Sequence, residues 1–350
     1  MDPGRPGRLW FELRLFVSVL GSREKRMNKI ATQILLLLGL LSACADLDAN
    51  IHNRRHCSVV TEATCNDDLY WDRLCTACGD DYDFNRDYEW MDGTLEPEQI
   101  LREFNLSTIV AEELATEVGD GTLFVYFIPS HGENAALSDT TIVYNNGNFA
   151  SIEHYIPRYR FLHDAGYNLV VWDYRGYGKS LPDQDPPPNE FLSDARQVWA
   201  WAQTTVPDAN RMISYGYSLG GVPAVEMVMA NDACALFMEA AFPSISAITK
   251  SASTLTFGEG FFSAGHFNNI EKIRTYTGPA FFFHGDADVK FPLWASKDMF
   301  NNAPGPKDFW TVEGVGHSLS TGGIPEAGLN TYLSKLFSFL EDHAPGCLSP

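Results

Sequence analysis

A serine flanked by glycines is the segment of this sequence with the clearest chemical potential. It reads Gly216-Tyr217-Ser218-Leu219-Gly220 and matches the pattern Gly-x-Ser-x-Gly. In that pattern a sharp turn between a strand and a helix lifts the serine hydroxyl clear of a sheet. The residues two positions before and after the serine must be small because the backbone of the turn is strained. An apolar stretch precedes the turn, and a helix-like stretch over 222–229 follows it. Ser218 is therefore the candidate nucleophile, and the competing interpretation is a glycine-rich turn with no catalytic role.

A nucleophilic serine needs a base that removes its proton and a carboxylate that orients the base. Two downstream segments supply these groups in the order acid and then histidine, which is the order that follows a serine on such a turn. The segments are 284–288, His-Gly-Asp-Ala-Asp, and 314–317, Gly-Val-Gly-His, and each follows a predicted strand. Parallel sheets bind ligands at the carboxyl ends of their strands. We therefore predict His317 as the base and Asp286 or Asp288 as the acid, and the alternative for His317 is an ordinary loop histidine.

Strands and helices alternate regularly from Thr122 onwards. Strands are predicted over 122–128, 141–144, 168–173, 212–217, 235–241, 279–284 and 308–312, and helices over about 150–165 and 190–205. Apolar strands separated by helices are typical of a mainly parallel sheet covered by helices on both faces. The predicted fold class is therefore α/β, and this fold would bring the residues that follow the strands to one edge of the sheet.

The composition is that of an acidic globular protein. Among 350 residues there are 25 Lys and Arg against 45 Asp and Glu, which gives a formal net charge of −20. Hydrophobic residues make up 45% and charged residues 20%, which argues against disorder. The excess of acidic residues argues against nucleic-acid binding, because phosphate contacts need clustered Lys and Arg.

The sequence from about residue 121 to 340 resembles the α/β-hydrolase superfamily, near its serine-aminopeptidase and monoacylglycerol-lipase-like branch. Four segments carry the resemblance, namely 173–180 (Asp-Tyr-Arg-Gly-Tyr-Gly-Lys-Ser), 216–220, 284–288 and 314–317. The resemblance implies an α/β-hydrolase fold with a short lid over about 243–277. The family pattern His-Gly-x-x-Asp assigns the acid to Asp288, and Asp286 is the runner-up.

The resemblance also implies an oxyanion hole made of two backbone N–H groups. One belongs to Leu219, and the other to Asn148 or Phe149. The family usually has His-Gly before this second donor, whereas this chain has Asn146 and Gly147. Because the donor is a backbone N–H, a different side chain does not by itself remove the hole.

The implied reaction is acyl transfer through a covalent intermediate, with no metal or organic cofactor. The predicted lid is rich in aromatic residues, among them Phe257, Phe261, Phe262 and Phe267. An apolar lid suits an acyl chain better than a charged peptide terminus, because a buried charge needs a partner. We therefore expect a carboxylic-ester hydrolase with a small-molecule acyl substrate. Glu259 and Glu271 keep a serine aminopeptidase-like amide hydrolase open, and the third interpretation is a catalytically silent scaffold that acts as a surface binding protein.

The amino terminus resembles the signal peptide of a bacterial lipoprotein. The apolar run 34–41 is shorter than the roughly 20 residues of a membrane span, and Leu41-Ser42-Ala43-Cys44 resembles a lipobox. We predict that residues 1–43 are an upstream extension and signal peptide, and that Cys44 is lipidated. Ala45, which stands where an inner-membrane retention signal has Asp, points to the outer membrane of the bacterial cell envelope. The alternative is an ordinary signal peptide with a chance cysteine after it.

Six further cysteines suit an oxidising compartment. They are Cys57, Cys65, Cys75, Cys78, Cys234 and Cys347. A zinc cluster over 57–78 is conceivable, but the spacing fits no zinc ribbon or finger well, so disulfides are the preferred interpretation and their pairing stays open. We therefore expect a Cys-rich lead over 44–95 and a hydrolase domain over 96–345.

Overall fold

The structure is a computed structural model. It describes residues 45–46, 48, 51–52, 54, 82, 84–85, 102–148, 151–247, 261–262, 264–317 and 328–350. The chain divides into two compact units, residues 1–46 with 257–262, and residues 47–256 with 263–350. In the first unit, strands β1 (Ala45–Asp46) and β8 (Phe261–Phe262) pair in parallel. The predicted signal peptide, Cys44 and the four cysteines of 57–78 lie outside the described residues.

An eight-stranded sheet forms the centre of the second unit. Its strands are β2 (Val110–Ala115), β3 (Thr122–Ile128), β4 (Thr141–Asn145), β5 (Asn168–Trp172), β6 (Met212–Tyr217), β7 (Ala235–Glu239), β9 (Ala280–Gly285) and β10 (Lys307–Val312). They lie in the order β10-β9-β7-β6-β4-β5-β3-β2. Strand β3 is antiparallel to both of its neighbours, and every other pair is parallel. The predicted mainly parallel sheet is confirmed.

Helices cover both faces of this sheet. Helices α1 (Ile156–Ala165) and α6 (Leu329–His343) pack on one face, and α2 (Pro188–Thr205), α3 (Gly221–Ala230), α4 (Asn269–Ile273) and α5 (Trp294–Asn302) pack on the other. Successive strand residues point to opposite faces. In β4, Ile142 and Tyr144 join the core under α1 and α6, while Val143 joins the core under α2. Strands β4, β5, β7 and β9 are mostly apolar, because both of their faces are buried.

Strand β2 was not predicted from the sequence. It pairs antiparallel with β3, and five of its six residues are exposed, including Glu112 and Glu113. An edge strand with one open side needs no apolar pattern, and its charges discourage pairing with another chain. The sequence therefore lacks the signal that revealed the buried strands.

One disulfide joins distant parts of the second unit. Cys234, just before β7, bonds to the fully buried Cys347, with a Cα–Cα distance of 5.5 Å. This assigns one of the pairings that the sequence left open. Within the described ranges, none of the helices combines the length and the apolar character that crossing a bilayer requires.

Candidate active site

Ser218 lies on a tight turn between β6 and α3. Residues Ser218–Gly220 form one turn of 3₁₀ helix, and Ser218 itself has φ 54°, in the left-handed region that L residues rarely adopt. A Cβ on Gly220 would lie 2.0 Å from the carbonyl oxygen of Asn145, and one on Gly216 would lie 2.6 Å from the carbonyl oxygen of Gly220. Both glycines of the motif are therefore required by close approach of the backbone.

A continuous line of hydrogen bonds joins Ser218, His317 and Asp288. The Nε2 atom of His317 is 3.0 Å from Ser218 Oγ, and its Nδ1 atom is 2.6 Å from Asp288 Oδ2. The three residues are only 5%, 9% and 6% exposed, in the order Ser218, His317 and Asp288. Because an ionised carboxylate only accepts hydrogen bonds, Nδ1 carries the proton and Nε2 turns its lone pair to the serine hydroxyl. This geometry can move the serine proton to the histidine.

Asp288 is held by donors on both of its carboxylate oxygens. Oδ1 accepts the backbone N–H groups of Lys290 and Phe291, each at 2.8 Å. Oδ2 accepts from His317 and, at 3.0 Å, from His284. Burial alone would raise the pKa of Asp288, but the hydrogen bonds from the two histidines and the backbone outweigh it and hold that pKa well below its usual range. Asp288 is therefore charged across the whole working range of pH.

His317 is kept neutral by its surroundings. Burial disfavours the imidazolium and lowers the pKa of His317 below its ordinary value, although Asp288 acts in the opposite direction. The ring of Phe291 meets the imidazole edge to face at 4.8 Å. Tyr217 stacks on it at 5.5 Å and donates its hydroxyl to the carbonyl oxygen of His317 at 2.5 Å. The residue before the serine thus fixes the loop that carries the base.

Asp286 does not reach the histidine in this structure. Its side chain is exposed, and Oδ1 accepts the backbone N–H of Gly314 at 2.7 Å. Of the two carboxylates that the sequence offered, it is Asp288 that meets His317. Asp286 instead ties the turn after β9 to the turn after β10.

His284 is a residue of the site to which sequence reasoning gave no role. It is 1% exposed, and its Nε2 atom lies 2.8 Å from the carbonyl oxygen of Phe291 as well as near Asp288. Its Nδ1 atom lies 2.7 Å from Ser296 Oγ on α5. Both neighbours of Nε2 are acceptors, so that atom carries a proton and donates it. The sequence feature that could have revealed this role is the position of His284 at the end of a buried strand, four positions before the candidate acid.

The predicted oxyanion loop runs beside the turn that carries the serine. Strand β4 ends at Asn145, and the carbonyl oxygen of Asn145 lies close to Gly220. The hydroxyl of Tyr174 donates to the carbonyl oxygen of Asn146 at 2.6 Å. A Cβ on Gly147 would lie 2.8 Å from the ring of Tyr217. The absence of a side chain at position 147 therefore has a steric basis.

The two predicted oxyanion residues differ in what surrounds them. Leu219 is 1% exposed and belongs to the apolar core that includes Phe242, Phe267 and Phe291. Asn148 has polar partners on its side chain, which donates to the carbonyl oxygen of Ile51 and accepts from Tyr177. Phe149, the alternative donor, lies outside the described residues.

The predicted lid is described only in part. Residues 248–260 and 263 lie outside the described residues, and they include Phe257 and Glu259. Phe267 is 1% exposed and meets Phe191 on α2 at 5.7 Å. This aromatic residue therefore packs onto the helical layer beside the sheet.

No metal site accompanies these groups within the described ranges. No cluster of three or more histidine, cysteine, aspartate or glutamate side chains in this part of the chain is arranged to hold a metal ion. Every acceptor on Asp288 is already occupied by a protein donor. The site is arranged for proton transfer between protein groups.

Part of the chain matches a known family, and several proteins are similar to it. Residues 138–254 match the family described as serine aminopeptidase, S33, a range that includes Ser218 but ends before Asp288 and His317. The uncharacterised protein YfhR of Escherichia coli K12 is 27% identical over 204 residues, which are 56% of this chain and 70% of that protein.

Solved structures share the fold. An esterase of Pyrococcus furiosus, Pf2001, superposes with a TM-score of 0.53 at 20% identity, over 67% of this chain and 93% of that one. The α/β hydrolase GrgF of a Penicillium species gives a TM-score of 0.53 at 13% identity, over 68% and 99%. At such identities the likeness establishes the fold alone. The chain has the α/β-hydrolase fold that its motifs predicted.

Proposed function

We propose that this protein is a serine hydrolase that cleaves carboxylic esters through a covalent acyl-enzyme. The observation that carries the proposal is the unbroken line of hydrogen bonds from Ser218 through His317 to Asp288. The serine aminopeptidase match and the esterase neighbour also support a hydrolase. The three residues can act as the nucleophile, the base and the acid that orients the base in serine-based acyl transfer.

Acylation begins when Ser218 attacks the carbonyl carbon of the ester. His317 Nε2 accepts the serine proton as the new bond forms, and Asp288 stabilises the resulting imidazolium through Nδ1–H. The lowered pKa of His317 keeps the imidazole neutral, and therefore able to accept this proton, at pH 7. The imidazolium then protonates the leaving alcohol.

The developing oxyanion needs donors that are already in place. The backbone N–H groups of Leu219 and Asn148 fill this role in the proposed mechanism, and losing one such donor typically costs about 10²- to 10³-fold in kcat. Water then attacks the acyl-enzyme with His317 as the base. The tetrahedral intermediate collapses, the acid leaves and Ser218 regains its proton.

The surroundings favour an ester over an aminoacyl amide. Phe291 meets the catalytic imidazole directly, and the fully buried Phe242 packs on Phe291 at 5.3 Å, so this side of the imidazole is apolar and offers no partner for a charged substrate group. A substrate amine would need a carboxylate partner. Glu271 is exposed and paired with Arg274, and Glu239 is buried and paired with Arg158. The family description keeps an aminopeptidase-like amide hydrolase as the second candidate.

Labelling with a fluorophosphonate separates an enzyme from a silent scaffold. The probe phosphonylates only a serine activated by a base, so we expect a covalent adduct on Ser218, no adduct in Ser218→Ala and a loss of at least 10³-fold in labelling rate in His317→Ala. Wild-type protein that resists the probe would leave the scaffold interpretation in place. A panel of p-nitrophenyl acyl esters and aminoacyl p-nitroanilides then distinguishes the two enzymes, and cleavage of the anilides alone would reject the esterase.

We also propose that the protein is exported and anchored to the bacterial envelope through lipidated Cys44. The lipobox-like segment 41–44 supports the anchor. The Cys234–Cys347 disulfide fits an oxidising compartment outside the cytoplasm.

A further inference from the structure

A short segment far upstream in the sequence lies against the predicted oxyanion loop. Ile51 and His52 belong to the same compact unit as the sheet, although they lie well outside the range that matches the family. The carbonyl oxygen of Ile51 accepts a hydrogen bond from the side-chain amide of Asn148. The Ile51 side chain packs on the apolar core that contains Leu219. One dipeptide therefore touches the surroundings of both predicted oxyanion donors.

The hydrogen bonds in this cluster have only one consistent direction. Asn148 uses its Nδ2–H to reach Ile51, so its Oδ1 is the acceptor at 2.8 Å from the hydroxyl of Tyr177. Tyr177 donates its single hydroxyl proton in that bond. His52 Nδ1, 3.0 Å from the same hydroxyl, must then be the donor. The hydrogen bonds therefore run from His52 to Tyr177, from Tyr177 to Asn148, and from Asn148 back to the backbone of Ile51.

Burial keeps His52 in the neutral state that this series of hydrogen bonds requires. Burial lowers the pKa of His52 to about 4, with Asp185 opposing and Arg54 assisting the shift. The ring lies edge-on to Tyr177, Phe191 and Phe267, at 5.8, 5.3 and 6.4 Å. The imidazole is thus neutral at pH 7, with its proton on Nδ1.

We propose that His52, Tyr177 and the backbone of Ile51 form a clamp that positions Asn148 for stabilisation of the oxyanion. The inference rests on the proposed hydrolase function. Both polar ends of the Asn148 side chain are held, which fixes the direction in which its backbone N–H points. An oxyanion donor helps only when it is already in place, and a displacement of about 1 Å can cost up to 10²-fold in rate. The clamp residues are positioning residues, because none of them touches the reacting atoms.

Removing the hydroxyl of Tyr177 should slow the reaction without weakening substrate binding. In Tyr177→Phe and in His52→Leu, we expect kcat to fall about 10-fold or more, with KM within about twofold of wild type, since the donor acts mainly in the transition state. His52→Asn should recover most of the activity, because its amide nitrogen can take the place of Nδ1. A trifluoromethyl ketone, which forms a tetrahedral adduct with the serine, should lose affinity in proportion to kcat/KM.

Matched controls separate positioning from general stability. Tyr276→Phe removes another largely buried hydroxyl, which donates to the carbonyl oxygen of Pro279. His163→Leu removes another buried histidine, which donates to the carbonyl oxygen of Pro129 and whose pKa burial also lowers to about 4. We expect these two variants to lose thermal stability to a similar extent as the clamp variants but to keep kcat.

The rate of fluorophosphonate labelling at Ser218 is the deciding measurement, because it does not depend on knowing the natural ester. Slower labelling in Tyr177→Phe and His52→Leu, with recovery in His52→Asn and none of the loss in the controls, supports the clamp. If the clamp variants label at the wild-type rate, the clamp is wrong and the hydrolase proposal stands. The same conclusion follows if the controls lose as much labelling rate as the clamp variants. Failure of wild-type Ser218 to label at all overturns the hydrolase, and the clamp with it.

Discussion

At the scale of single residues, the two carboxylates after β9 have different partners. Asp288 meets His317, whereas Asp286 meets the backbone of Gly314. Asp288→Asn would remove the charge that stabilises the imidazolium and would favour the wrong tautomer of His317, so we expect kcat to fall about 10³- to 10⁴-fold. Asp286→Asn should cost less than about 10-fold, because it keeps an acceptor for Gly314. Steady-state kinetics with one p-nitrophenyl ester checks both, and the reverse ranking would transfer the acid role to Asp286.

The protonation states of the same residues predict the acid side of the pH profile. His317 must be neutral to accept the serine proton, and its pKa is held below the ordinary value of about 6.5. Because the pKa of His317 is lowered, the base becomes half protonated only at a pH below 6.5, and Asp288 stays charged throughout. We therefore expect the half-maximal point on the acid side of the kcat/KM profile to lie below pH 6.5. A half-maximal point above pH 6.5 would contradict the lowered pKa.

The residues that sequence reasoning found are those whose position relative to a strand decides their role. Ser218 follows β6 and His317 follows β10, and parallel strands share one carboxyl edge. His52 and Tyr177 could not be found in this way. Their roles depend on a contact between segments far apart in sequence, and no local pattern of residue types announces it.

At the scale of elements, the turn between β6 and α3 depends on the absence of a side chain at Gly220. A Cβ there would meet the carbonyl oxygen of Asn145 at 2.0 Å, and since that atom belongs to the backbone, β4 or the turn must shift. Gly220→Ala should therefore destabilise the fold by about 1–3 kcal/mol and lower kcat as well. Gly346→Ala is the matched control, because nothing lies within 4 Å of its added Cβ. Urea unfolding and kinetics on both variants test this, and an unperturbed Gly220→Ala would show that the close approach is not required.

Strands were predictable from the sequence where they carry an apolar run. Strands β3 and β6 have the predicted bounds, because both of their faces lie in the core. Strand β2 is exposed and gave no signal. Helix α1 begins at Ile156, later than predicted, after a turn of 3₁₀ helix over Ile152–Tyr155. Pro157 lies in the first turn, which is where an α-helix tolerates a residue without an N–H, so α1 starts next to this proline rather than further upstream.

At the scale of the whole molecule, the Cys234–Cys347 disulfide ties the end of the chain to the sheet. It closes a loop with a sequence separation of 113 residues, so its main effect is to restrict the unfolded chain. Cys347→Ser should lower the free energy of unfolding by about 2–5 kcal/mol. Urea unfolding without reductant should show that loss between wild type and Cys347→Ser, and reductant should destabilise wild type more than Cys347→Ser, because the variant already lacks this bond. Equal stability of wild type in both conditions would contradict a stabilising role.

The charge of the whole chain makes its predicted attachment to membranes depend on Cys44. A formal net charge of −20 repels anionic lipid, so electrostatic attraction cannot hold this protein at a bilayer, and a covalent lipid can.

In a Gram-negative host, wild type should sediment with outer membranes and resist extraction by high salt. Cys44→Ala should appear in the soluble fraction or remain as a longer precursor. Ala45→Asp, which keeps the cysteine and creates the retention signal, should move the protein to the inner membrane with an unchanged lipid-modified terminus. Membrane fractionation and the mass of the mature chain are measured for all three proteins. A Cys44→Ala variant with wild-type partition and mass would contradict a lipid anchor at Cys44.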